Sequence, residues 1–203
     1  YTGEGADALA AGLRAEGWET SVYGVPAYST LGMSNWVGGD PLLNTFVNWS
    51  ETELARLIFH ELTHQVAYAN DDTTFNESFA TAVERIGSRL WLQKQGSPQQ
   101  LAAQALVDQR QDEFRALTLR WRAELDALYK SPLDDAAKRT RKAELMARMR
   151  AEYQQVKAER WGGYAGYDGW FERANNASFA VLAAYNELVP QFEALFEQQG
   201  RDF

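Results

Sequence analysis

Apolar and polar residues alternate along this chain mostly with a helical period. From Phe114 onward the apolar positions Leu117, Trp121, Leu125 and Leu128 recur at spacings of three and four, which predicts one long helix ending near Tyr129. Ser131-Pro132 turns the chain, and a charged segment to about Arg160 carries its own stripe of Leu145, Met149, Tyr153 and Val156. Two stripes joined by a short turn predict an antiparallel helical hairpin. Upstream, Ser97-Pro98-Gln99-Gln100 reads as a helix start, with proline at the first helical position and glutamine placed to cap it.

The first half is less uniform. A short helix is expected over about Gly5 to Glu16, stopping at Gly17. Residues 21–31 are rich in β-formers but contain Pro26, which predicts an edge strand, and Phe46-Val47-Asn48-Trp49 suggests a second short strand. Between them, Gly32, Gly38, Gly39 and Pro41 suggest a loop. Ser50 and Glu53 form a capping box ahead of a helix that runs to about Tyr68. After the polar turn Asn70–Thr74, another helix spans about Asn76 to Gln95 and ends before Gly96. Glycines and aromatics crowd 161–171, and a last helix runs over 175–200, interrupted near Pro190. The expected fold is α+β and mainly helical, with a small antiparallel edge sheet packed on two helices. Its expected organisation is a catalytic core over 1–96 and a helical portion over 97–203, comprising the 97–160 hairpin, the 161–171 loop and the final helix, packed as one unit.

Composition narrows the function classes. Hydrophobic residues make up 45% of the 203, enough for a packed core. A net charge of −8 argues against nucleic acid as a partner, because phosphate binding needs a basic face. No apolar run is long enough to span a bilayer, and no signal peptide is visible. The chain opens at Tyr1 rather than Met, as a mature fragment of a longer protein would. Having no cysteine, it can form neither disulfides nor thiolate–metal bonds.

The chemistry concentrates in His60-Glu61-Leu62-Thr63-His64, which holds both histidines of the chain. Residues four apart share a helix face, so His60 and His64 can grip one Zn²⁺ at ~2.0–2.1 Å. Glu61, rotated by roughly 100°, sits beside the remaining coordination position, where it can accept a proton from water. A catalytic zinc takes a third protein ligand, for which Glu77 on the following helix is the best candidate. Glu84, two turns further on the same face, either hydrogen-bonds a histidine from behind or pairs with Arg85 or Arg89 in solvent. Asn76 either supports the site or caps its helix, whereas Asn175 and Asn176 form either a helix N-cap, the favoured reading, or part of a substrate rim. An oxyanion donor besides the metal is needed. With both histidines used, Tyr185 is the first choice, and Tyr164 and Tyr167 are its rivals. The segment 21–31 is either an ordinary edge strand blunted by Pro26 or an edge whose free donors and acceptors take a peptide as an added strand, with Tyr28 and Ser29 then bordering the cleft.

His60-Glu61-Leu62-Thr63-His64-Gln65 followed by Asn76-Glu77-Ser78-Phe79-Ala80-Thr81-Ala82-Val83-Glu84 resembles the gluzincin metallopeptidases. Together with Val25-Pro26-Ala27-Tyr28-Ser29-Thr30-Leu31-Gly32 and Asn175-Asn176-Ala177, it resembles more closely the bacterial family of predicted aminopeptidases. The resemblance implies a zincin-like fold, one Zn²⁺ with Glu77 as third ligand, and a peptide substrate. It also implies an exported protein, periplasmic or held at a membrane by a lipid on a preceding segment. Two features depart from the aminopeptidase-N type. The interval from His64 to Glu77 is shorter, and 22–31 lacks the Gly-x-Met-Glu-Asn motif that grips a free amine. The alternatives to an aminopeptidase are a zinc endopeptidase and a non-catalytic metal-binding scaffold of the envelope.

Overall fold

The computed structural model describes residues 2–24 and 44–203, and among these every regular element is a helix. In chain order they are α1 (Gly3–Ala15), α2 (Glu51–Val66), α3 (Thr73–Gln95), α4 (Pro98–Lys130), α5 (Asp135–Glu159), α6 (Asp168–Arg173), α7 (Asn176–Asn186) and α8 (Val189–Gln198). None of them is long and apolar enough to cross a membrane.

The expected antiparallel edge sheet is therefore corrected: no strand occurs among the described residues. Phe46–Trp49 folds as a turn closed by the Trp49 amide on the Phe46 carbonyl at 2.9 Å. The two rings meet edge-on at 6.3 Å, and Phe46 is buried while Val47 stays exposed. Aromatic and β-branched residues favour strands only where a partner strand offers a pleated, half-buried surface. Here the turn buries Phe46 without one. Residues 21–24 have no regular structure, and Val22 and Tyr23 are exposed. The rest of the expected 21–31 strand, with Tyr28 and Ser29, lies outside the described residues.

The described residues form two compact units. The first comprises those of Tyr1–Gly3, Val22–Ala105 and Leu182–Phe203; the second comprises Glu4–Ser21 and Leu106–Val181.

In the first unit α2 starts at a complete capping box. Ser50 Oγ accepts from the Glu53 amide, and the Glu53 carboxylate accepts from the Ser50 amide at 3.1 Å. Asp72 caps α3 through the Phe75 amide at 2.8 Å. The two helices pack antiparallel at close range. A Cβ on Gly87 of α3 would lie 3.0 Å from the Phe59 ring of α2, so any larger residue there would have to displace that ring. Ser78, Ala80, Ala82 and Ser88 are further small residues among those α3 buries. On the α8 side, Phe192 meets Phe75 at 5.4 Å and Phe79 at 5.1 Å, and Arg85 reaches Glu193 at 3.1 Å.

The second unit is built on the α4–α5 hairpin. Leu117, Trp121 and Leu125 of α4 meet Met146, Met149 and Tyr153 of α5 in one core, closed by Trp161, Phe171, Ala174 and Phe179. Two reciprocal clamps set the register. Trp121 Nε1 donates to Glu152 at 3.0 Å beside the Arg120–Glu152 pair, and Trp161 Nε1 donates to Glu113 at 2.7 Å beside Arg160. Each buried indole N–H thus gains a charged acceptor. Asn175 caps α7 by accepting from the Ser178 amide at 3.2 Å, and the Asn176 side chain accepts from the Tyr129 hydroxyl at 2.8 Å.

Candidate metal centre

The site is assembled by α2, α3 and the end of α7, all within the first unit. Arg56, His60 and His64 follow one another at single-turn intervals along α2, so they line one face. Glu77 and Glu84 do the same on α3, two turns apart, and because the helices run antiparallel the two rows oppose each other. His60 Nε2 lies 3.3 Å from Glu77 Oε2, and His64 Nε2 lies 3.9 Å from the same oxygen. One nitrogen from each histidine and one Glu77 oxygen all fall within 4.8 Å of one another. Ligand atoms on a tetrahedral Zn²⁺ sit roughly 3.3–3.5 Å apart, given bonds of ~2.0–2.1 Å. The His60–Glu77 separation of 3.3 Å matches that spacing and the His64–Glu77 separation of 3.9 Å is somewhat wider, so the donor set suits the ion in chemistry and would close slightly around it.

The back of the site is also defined. His60 Nδ1 meets Glu84 Oε2 at 3.2 Å, and Glu84 Oε1 accepts from Arg56 Nε at 2.8 Å. Of the two alternatives for Glu84, the structure shows contact with the histidine. Arg85, offered as its solvent partner, instead faces Glu193. Asn76 does not cap α3, a role taken by Asp72. It is buried and clasps the backbone of Ala69, accepting from its amide and donating to its carbonyl, both at 2.8 Å. That clasp holds the 67–72 connection against the first turn of α3, from the residue directly before Glu77.

Tyr185 stacks on the His60 ring at 6.1 Å with the planes 18° apart, close enough to Glu77 for each to shift the other's titration. Tyr164 and Tyr167 belong to the second unit. There Tyr167 stacks on Phe114 at 4.2 Å, and Arg110 lies 4.6 Å over Tyr164. Sequence reasoning missed the residue that places Tyr185. Ser78, fully buried next to Glu77, donates to the Ala184 carbonyl at 2.8 Å and accepts from the Leu188 amide at 3.3 Å. Those two backbone groups would pair with each other in an unbroken helix. Pro190 has no amide for the Asn186 carbonyl and its ring crowds it, so the helix breaks between α7 and α8. The Ser78 hydroxyl bridges the gap. No local pattern could reveal this, because the partners are 106 and 110 residues away.

The electrostatics are those of a tight cluster. Burial works to lower the His60 pKa, but the hydrogen bonds to Glu77 and Glu84 push it up to about 9. Burial holds the His64 imidazole below its ordinary value, partly offset by Glu77 and reinforced by His60. Burial works to raise the Glu77 carboxyl; the His60 hydrogen bond and the neighbouring imidazoles outweigh it and bring it down, with a smaller contribution from the Tyr185 hydroxyl. Burial and the Glu77 charge raise the Tyr185 phenol, with smaller contributions from Tyr23 and Glu61, so it stays a donor at neutral pH. Glu61 is half-buried on α2, and its charge adds a little to the raising of the Tyr185 phenol. Nδ1 of His64 is buried and meets no hydrogen-bond partner among the described residues.

A family model described as "Putative aminopeptidase" matches residues 1–203. No curated protein matches the chain, and no solved structure does.

Proposed function

This chain belongs to the putative aminopeptidase family, and from that premise we propose that it is a zinc-dependent peptidase, with His60, His64 and Glu77 as the metal ligands. The observation that carries the reading is the meeting of three ligand atoms within 4.8 Å on two helices, with a carboxylate next in sequence to the first ligand. When bound, the ion supplies a Lewis acid for the scissile carbonyl and acidifies water.

The chain's own residues perform the remaining work. Glu61 takes the proton from the attacking water and passes it to the leaving amine, a role worth about 10²–10⁴-fold in rate. Tyr185, kept protonated by its surroundings, donates its hydroxyl to the oxyanion of the tetrahedral intermediate. Glu84 holds His60 by its Nδ1 and leaves Nε2 directed at Glu77 and the metal position. Asn76 supports the same site from behind by holding the 67–72 connection against the first turn of α3. The finer assignment is aminopeptidase in an exported bacterial protein, which rests on the family and on the sequence resemblance.

The test is Glu61→Gln, assayed for turnover and zinc content on paired peptides with free and acetylated N-termini. Turnover should vanish while zinc is retained, and blocked peptides should resist the unaltered protein. Full activity in the variant would refute the assigned base. Equal cleavage of blocked and free peptides would replace aminopeptidase by endopeptidase.

A further inference from the structure

Arg56 stands one turn ahead of His60 on α2, and its guanidinium faces α3. It places two nitrogens on a single oxygen of Glu84, Nε at 2.8 Å and a terminal nitrogen at 2.7 Å from Oε1. The other oxygen, Oε2, is left for His60 Nδ1 at 3.2 Å. The two side chains are 12% and 19% exposed, so this is an ion pair largely removed from solvent rather than a surface contact. Removing one partner from such a pair leaves the other charged and poorly solvated, and it reorients or neutralises. Glu84 without Arg56 would therefore lose the division of labour between its two oxygens.

We propose that Arg56 is a positioning residue of the metal centre, acting through Glu84 to hold the His60 ring with Nδ1 turned away from the metal position. The inference rests on the metal reading above. A histidine ligand needs its second nitrogen occupied by an acceptor to fix its tautomer and ring plane. That acceptor is itself fixed only if something holds its other oxygen. Arg56 performs this from the same helix as His60, so acceptor and ligand are tied to one rigid element. Its planar fork makes the double contact, whereas lysine, a point charge on a flexible stem, supplies charge without the fork.

The experiment measures Zn²⁺ affinity of the full chain by competition with a chromophoric chelator, alongside thermal melting. The proteins compared are the unaltered chain, Arg56→Gln, Arg56→Lys, Glu84→Gln and the Arg56→Gln/Glu84→Gln double variant. The unaltered chain should bind one Zn²⁺. Arg56→Gln should lose about 10–100-fold in affinity, Arg56→Lys should lose less, and the double variant should bind no more weakly than Glu84→Gln alone. A role confined to stability would lower the melting temperature and leave affinity intact. Two results overturn the proposal: wild-type affinity in Arg56→Gln, or losses that simply add in the double variant. If Arg56→Gln does not fold, Arg56→Lys decides alone, through a several-fold loss or wild-type affinity. An unaltered chain that binds no Zn²⁺ would instead defeat the metal reading itself, and the two failures are told apart by that first measurement.

Discussion

Replacing Ser78 by alanine tests whether one hydroxyl holds Tyr185 over the proposed metal ligands. The change removes a single oxygen from a fully buried position on α3. Two backbone groups lose their partner, the Ala184 carbonyl and the Leu188 amide. Each orphaned buried group costs about 1–3 kcal/mol. Ala184 and Leu188 are only half-buried, so water recovers part of that cost, and alanine in the α3 interior returns about 0.5 kcal/mol of helix propensity. The net expectation is a loss of about 1–2 kcal/mol, read as a lower urea midpoint at unchanged slope. Tyr185 follows Ala184 directly, so its ring loses its seat against His60. Turnover should fall about tenfold, the worth of roughly 1.4 kcal/mol in the transition state, while bound zinc is unchanged. A variant with the wild-type midpoint and wild-type turnover would refute the claim that the α7–α8 break is held by Ser78.

Tyr185→Phe should lower turnover by about 10²-fold or more with zinc content intact, since it deletes one oxyanion donor and little volume; undiminished turnover would remove Tyr185 from the mechanism. A pH effect is expected in the second unit, where Glu19 pairs with Lys142 and accepts from the Asn176 amide at 2.8 Å. Burial works to raise the Glu19 pKa, but Lys142 and the Asn176 amide bring it below its ordinary value of 4.5. A depressed carboxyl stabilises the folded state above its unfolded value and ceases to do so as pH falls through the folded one. Hydrogen-exchange protection over 4–21, taken relative to the intrinsic rate at each pH, should therefore fall below about pH 4.5, and Glu19→Gln should remove that acid-dependent step; identical protection profiles for the two proteins would count against it.

Much of the helical layout can be read locally. Ser50 and Glu53 are three residues apart, and Ser97 and Gln100 likewise, so each helix start is written in a span the chain cannot avoid bringing together. The stripes Leu117–Trp121–Leu125 and Met149–Tyr153 are visible for the same reason, because helical period alone sets which residues share a face. The pair His60 and His64 belongs to this class. The edge sheet did not, since Phe46–Trp49 carries strand-like residues and folds as a turn. Strand propensity expresses a neighbour's surface rather than a local conformation.

By itself, then, the sequence determined the helices with local caps and stripes, and the two imidazoles on one turn of α2. Tertiary structure decided which partners met across the chain. It set Arg56 against Glu84 and Arg85 against Glu193, turned Asn76 from a cap into a clasp, and used Ser78 to seat Tyr185. The physical reason is range. Caps and stripes act within a turn or two of helix, whereas a helix crossing as close as Gly87 on Phe59 depends on small side chains from two elements fitting together, which no single segment encodes.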